Sequence, residues 1–171
     1  MWYVVQVYTG REENIKLQCE RLLSLFPDAF ERVFIPYSNR RMKIDGEWGD
    51  VEKVLFPGYI FIVTANLNEA VKLLKKVEGM TKVLGDGENM IPISKEEEKM
   101  LLRLGGEEQI VEMSEGIIEN SVIKVTEGPL KGMEPLIKKI DRHKRKAWIE
   151  VEMFGSSRVI EVGLEIFRKD G

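Results

Sequence analysis

Leu55-Phe56-Pro57-Gly58-Tyr59-Ile60-Phe61-Ile62 joins rigid turn chemistry to more apolar and aromatic surface than any other stretch of the chain. Pro57 fixes its own backbone and biases Phe56 away from helix, and Gly58 permits a tight or left-handed turn. The residues that follow alternate into a strand, so the stretch predicts a bend entering a sheet. Side chains alternate faces along a strand, so Phe56, Tyr59 and Phe61 cannot all point one way. Two readings stay open at this point. Part of the aromatic set faces outward as a docking surface, or all three rings fill one core.

Upstream of the bend, Trp2–Tyr8 is a short run rich in β-branched and aromatic residues and predicts a central strand. Thr9 and Glu12 have capping-box spacing, and Ile15, Cys19, Leu22 and Phe26 recur at helical spacing before Pro27. A strand over Val33–Tyr37 then leads into the polar run 38–54, where Asp45-Gly46 is a strong hairpin signal. This predicts a long, solvent-exposed hairpin with Arg40, Arg41 and Lys43 on its rising arm. The cations make it a candidate nucleic-acid contact, or they merely protect an edge from aggregation.

Downstream of the bend, Asn68 is placed to cap a helix through Val77 with Lys72, Lys75 and Lys76 outward. Thr81–Leu84 predicts a strand and Gly85-Asp86-Gly87 a turn. Ser94 with Glu97 opens a capped helix that ends at Gly105-Gly106. The order of elements predicts an α+β fold, with a mostly antiparallel sheet flanked by helices over residues 1–105. Residues 106–120 are acidic and read as a linker, although Ile110, Val111, Ile117 and Ile118 are more apolar than a free linker needs. Residues 121–171 predict a small all-β barrel with strands at Val122–Val125, Leu136–Ile140, Trp148–Phe154 and Arg158–Val162, and a closing turn at Leu164–Phe167.

The formal net charge is −3, but it is unevenly spread. Residues 1–105 hold 15 basic and 16 acidic side chains, 106–120 hold five acidic and no basic ones, and 121–171 hold 11 basic and eight acidic. The C-terminal part is therefore basic behind an acidic connector, and a polyanion senses local fields. One cysteine, Cys19, excludes an internal disulfide, and with one histidine, His143, no metal site of cysteine and histidine ligands can form. No nucleophile with a histidine base and no phosphate-cradling glycine loop followed by lysine and serine is present, so neither an enzyme nor a cofactor is expected. No apolar run reaches the length of a membrane span and the N-terminus lacks a secretion signal, so a cytoplasmic monomer is expected.

Several motifs together resemble one family. Trp2-Tyr3-Val4-Val5-Gln6, the Phe56-Pro57-Gly58-Tyr59 bend and Pro92-Ile93-Ser94 look like the N-terminal (NGN) domain of NusG transcription elongation factors. Val125-Thr126-Glu127-Gly128-Pro129-Leu130-Lys131-Gly132, with Phe154-Gly155 later, resembles the SH3-like KOW barrel of the same family. The resemblance implies a factor whose N-terminal domain docks on the clamp helices of the largest RNA polymerase subunit. Gln6, Phe56 and Tyr59 match the docking positions, which favours the outward reading of the aromatics.

Two departures are similar to LoaP, a specialised antiterminator branch of the family that binds an RNA hairpin in a nascent leader. Pro135 stands where a glycine is usual, removing backbone freedom and a strand donor. The run 138–146 carries six lysines and arginines against one acid. On this likeness Lys131, Lys138, Lys139, Arg142, His143, Lys144, Arg145, Lys146 and Arg158 are candidate RNA contacts, with Arg142 and Arg145 as forks and Lys144 and Lys146 as point charges. Arg40, Arg41 and Lys43 are further candidates for nucleic acid, including DNA at the polymerase. The alternative is a general NusG factor whose KOW domain binds a termination helicase or ribosomal protein through Phe154 and its neighbours. The Arg142–Lys146 run discriminates between the two.

Overall fold

The computed structural model of the chain describes residues 1–78 and 90–170. The expected strand at Thr81–Leu84 and turn at Gly85-Asp86-Gly87 lie outside them. By its internal contacts the chain divides into a first unit of residues 1–35 and 56–98 and a second of 36–55 and 99–171. The α+β class holds. The boundaries do not follow the expected division into 1–105, 106–120 and 121–171, because the long hairpin groups with the C-terminal strands.

The first unit is built on four antiparallel strands in the order β2-β5-β1-β6, with β1 Trp2–Gln6, β2 Arg32–Phe34, β5 Tyr59–Val63 and β6 Met90–Pro92. Two helices belong to it, α1 Glu12–Leu25 and α2 Leu67–Leu74. α1 buries Ile15 and Cys19 at the expected helical spacing. Its start differs from the capping box read at Thr9. Glu12 accepts a hydrogen bond from the Gly10 amide, and no side chain caps the helix. α2 is capped two residues earlier than expected, by Asn66 accepting from the Glu69 amide at 3.3 Å. Asn66 Oδ1 reaches the N3 amide, which satisfies one of the donors a helix start leaves unpaired. α3, Lys95–Gly105, begins with the capping box the sequence specifies: Ser94 Oγ accepts from Glu97 N, and Glu97 Oε1 accepts from Ser94 N, both at 3.1 Å.

One sheet face of this unit is an aromatic core. Trp2, Val4 and Gln6 share a face of β1 and pair with Val63, Phe61 and Tyr59 of β5. The rings of Trp2 and Phe34 meet edge to face at 5.0 Å, Phe34 stacks on Phe61 at 5.2 Å, and Phe56 tilts against Phe61 at 6.1 Å. Phe61 is fully buried and Phe56 only 4% exposed. The outward reading of Phe56 is therefore corrected: the bend turns its ring into the core, where burial of a large apolar surface outweighs exposure. Cys19 is likewise sealed, and burial pushes its thiol up to about 12, which makes it a core filler and not a reactive group.

The second unit contains two sheets. The hairpin strands β3 Tyr37–Ile44 and β4 Glu47–Val54 pair in register from Tyr37↔Val54 to Ile44↔Glu47. Asp45 and Gly46 both sit at positive φ (53° and 84°), as a two-residue hairpin loop requires. β7, Ile110–Val111, adds to β3 in parallel, giving the order β4-β3-β7. The other sheet is a barrel-like set in the order β10-β11-β12-β8-β9, with β8 Ser114–Glu119, β9 Val122–Glu127, β10 Ile137–Asp141, β11 Lys146–Met153 and β12 Ser156–Asp170. Its core includes Val125, Leu130, Met133, Ile149, Val151, Met153, Val162 and Leu164.

Three expectations change here. The acidic stretch 106–120 holds β7 and β8 in place of a linker, and Ile117 and Ile118 pair with β9 and β12. Leu164–Phe167 continues β12 alongside β8 and makes no closing turn. Pro135 falls in a 3-10 turn over Glu134–Leu136, before β10 begins, so no strand donor is lost.

Phe56→Ala leaves a cavity against Phe61 and is expected to destabilise the fold by about 3–5 kcal/mol, the usual range for a deleted core ring. Tyr59→Ala, at a half-buried position, is expected to cost clearly less. Urea denaturation of the two variants measures the difference.

Candidate nucleic-acid interface

Half of the lysines and arginines in the basic run of the second unit, with His143, lie on one four-residue turn, 142–145, between β10 and β11. Asp141 starts that turn by accepting a hydrogen bond from the Lys144 amide at 3.0 Å through Oδ1. This bond and the neighbouring positive charges of Lys144 and His143 hold the Asp141 carboxyl below its usual range. Arg145 closes the turn in the left-handed region at φ 52°. The consequence is a rigid tip on which Arg142, His143 and Lys144 are all exposed. Among the described residues, none of these three lies within ion-pair distance of a carboxylate.

The remaining cations of the run are engaged. Arg145 packs its guanidinium 3.7 Å over the Trp48 ring and lies 3.5 Å from Glu165. Its carbonyl accepts from the Leu164 amide at 3.0 Å. Expected as a fork for RNA, it instead rivets the turn to the hairpin and to β12. Lys146 donates to Glu161 at 2.7 Å and lies 4.6 Å from the Trp148 ring. Lys138 pairs with Glu150 at 3.2 Å. Lys139 is exposed, with its ammonium 4.9 Å over Trp148, its cross-strand neighbour.

Two expected contacts lie apart from the turn. Lys131 is exposed on the loop after β9. Arg158 pairs in register with Val151, five residues along β11 from Lys146, a distance of about 17 Å at strand rise. It donates to the Met153 carbonyl at 3.1 Å and covers the Phe154 ring at 4.7 Å. Phe154, the contact of the alternative reading, is thus 9% exposed beneath a guanidinium.

The hairpin was expected to project freely, and its base does not. Ser38 is 1% and Arg40 4% exposed, because strand alternation turns Ser38, Arg40 and Met42 to one face. Gly163 of β12 makes this packing possible: a Cβ there would run into the Met113 sulfur and lie 3.0 Å from the Asn39 carbonyl. Gln109 fastens the same region. Its side chain donates to the Leu101 and Gly106 carbonyls at 3.0 and 2.6 Å, and its carbonyl accepts from the Tyr37 amide at 2.9 Å. Arg41 pairs with Asp50 at 3.3 Å, and Lys43 stays exposed 5.9 Å from the Trp48 ring.

Burial lowers the pKa of Arg40, while the negative charge of Glu161 pulls it back up, and its Nε has no hydrogen-bond partner. Between hairpin and turn lies a cleft of about 390 Å³ lined by Arg40, Lys43, Trp48, His143, Lys144 and their neighbours. Trp48 was missed in the sequence. Its only signal was its place three residues after Asp45, opposite Lys43 across the hairpin.

In the first unit, Gln6 is exposed, Tyr59 half-buried, and the two are direct cross-strand partners at the end of the aromatic face. Of the three expected docking residues, these two reach the surface together and Phe56 supports them from within.

A family model described as transcription termination factor nusG matches residues 1–102. The chain belongs to the NusG family. The transcription termination/antitermination protein NusG of Halalkalibacterium halodurans is 29% identical over 168 residues, spanning 94% of this chain and 93% of that protein. The Bacillus subtilis protein of the same description is 28% identical over 167 residues, spanning 94% and 93%. A solved structure on domain interaction in Thermotoga maritima NusG shares the fold, with a TM-score of 0.58, 24% identity, and coverage of 96% of this chain and 92% of that one. NusG proteins are transcription termination/antitermination factors and not enzymes, and this chain is one of them. Among the described residues no helix is long and apolar enough to cross a membrane.

The hydrogen bond from Lys146 is the main reason the Glu161 carboxyl sits below its usual 4.5. A carboxyl depressed in the folded state contributes stability above its unfolded value, and that contribution fades as pH falls through the folded one. Glu161→Gln removes it. Thermal melts from about pH 6 to about pH 3 are expected to show a shallower acid-side loss for Glu161→Gln than for the wild type.

Proposed function

We propose that this chain is a processive antitermination factor of the LoaP type, which rides on RNA polymerase and holds a structured RNA hairpin of the nascent leader. The single observation that carries the RNA assignment is the tip of the β10–β11 turn. Arg142, His143 and Lys144 stand exposed side by side on a backbone locked by Asp141, with no carboxylate at ion-pair distance among the described residues. Fixed cations neutralise RNA phosphates and release counterions, so affinity falls with salt. The deep, narrow major groove of duplex RNA excludes most side chains, so such a surface reads shape, loops and distorted pairs. Lys139 extends the positive surface, while Lys138, Arg145 and Lys146 shape it from within their ion pairs.

Polymerase docking falls to the first unit, at the Gln6–Tyr59 end of the sheet, with the clamp helices of the largest subunit as partner. A half-buried tyrosine beside an exposed amide is the kind of amphipathic anchor that concentrates binding energy at protein interfaces. The general-factor reading loses support because Phe154 lies beneath Arg158.

Arg142→Glu with Lys144→Glu is expected to weaken binding to structured RNA and to lower the slope of log affinity against log salt by about two. Retention of polymerase in a pull-down after RNase treatment is expected to be unaffected. A gel shift at rising salt reads the first effect, and unchanged RNA affinity would remove the turn from the mechanism. Tyr59→Ala is expected to reduce readthrough in a purified transcription assay while RNA affinity persists; wild-type readthrough would place the docking surface elsewhere.

A further inference from the structure

The cleft between the β3–β4 hairpin and the β10–β11 turn combines two features that the phosphate-binding tip does not use, Arg40 and Trp48, with cations that it shares. Arg40 lines it while 4% exposed, and its Nε has no hydrogen-bond partner. A buried guanidinium NH without a partner carries a desolvation cost. Trp48 supplies the aromatic side chain of the lining, and Arg145, which packs over its indole, does not itself line the cleft. Lys43, His143 and Lys144 stand at the exposed mouth. At about 390 Å³ the cleft falls within the range of about 300–1,000 Å³ typical of small-ligand sites.

We infer that this cleft receives one unpaired nucleotide of the bound RNA, its base stacked on Trp48 beside the Arg40 side chain, with Lys43 and Lys144 on the flanking phosphates. The inference rests on the RNA reading above and deepens it. The chemistry selects a nucleotide over a bare phosphate, because a phosphate would use the cations and leave the indole idle. It selects an unpaired nucleotide over a stem, because bases within a duplex cannot present a face to an indole, whereas flipped or bulged bases stack readily on aromatic side chains. Proteins that hold single-stranded nucleic acid pair cationic grooves with such stacking platforms. The Arg145 contacts with Trp48 and Glu165 hold both walls of the cleft in place, so the site is formed before RNA arrives.

The test uses the full chain and two fluorescently labelled RNAs: a short stem carrying one unpaired nucleotide, and the same stem fully paired. The wild type is expected to bind the first about tenfold more tightly, within the range that base stacking on an aromatic ring contributes. Trp48→Ala is expected to abolish that preference and leave both affinities near the paired value, with the salt slope unchanged; Trp48→Phe is expected to restore part of it. A second measurement replaces the unpaired base with a fluorescent aminopurine, whose emission is expected to be quenched on binding to wild type and Trp48→Phe. Equal affinities of the wild type for the two RNAs, or binding without quenching, would overturn the cleft assignment and leave the phosphate-binding tip standing. No binding of either RNA at low salt would overturn the RNA reading itself, and the cleft with it.

Discussion

The second unit depends on the close approach of the hairpin strand β3 to β12, which a side chain at Gly163 would block. A Cβ at that position would have to displace the Met113 sulfur and would press on the Asn39 carbonyl at 3.0 Å. With glycine there, β3 lies against the barrel, β7 pairs with β3, and Gln109 ties the end of α3 to Tyr37. Arg145 then reaches Trp48, and Arg40 is carried into the interior.

Electrostatics explain why a chain of net charge −3 can present a cationic surface. Three carboxylates of the barrel are held by particular cations: Glu150 by Lys138, Glu161 by Lys146 and Glu165 by Arg145. These pairs are partly exposed and so contribute little to stability singly. Their effect is to sort the basic run into residues that fix its shape and residues left to face solvent. Asp141 serves the second group through the backbone, holding the tip with its carboxylate on the Lys144 amide. What a polyanion meets is the exposed remainder, not the total charge.

The first unit follows a different economy. Its aromatic face is almost wholly consumed by packing, from Trp2 through Phe34 and Phe61 to Phe56. At the end of the β1–β5 pair, Gln6 meets Tyr59 and the two carry polar groups to the surface. A ring that is buried and a ring that is half-buried play different parts in one bend.

Features determined by a few neighbouring residues were legible in the chain alone. The Asp45-Gly46 loop, the Ser94–Glu97 capping box, the bend at Pro57-Gly58 and the clustering of cations at 138–146 all arise from local backbone preference or local composition, and the α+β order followed from them. Tertiary structure decided whatever required a distant partner. Ile117 and Ile118 became strand residues because β9 and β12 supply hydrogen bonds to a segment whose acidity reads as linker. Phe56 turned inward because Phe61 was there to meet it, and Arg40 and Arg145 left the exposed set because β12 and Trp48 came within reach. Backbone preference acts over a few residues, whereas burial and charge pairing depend on which distant segments the fold brings together.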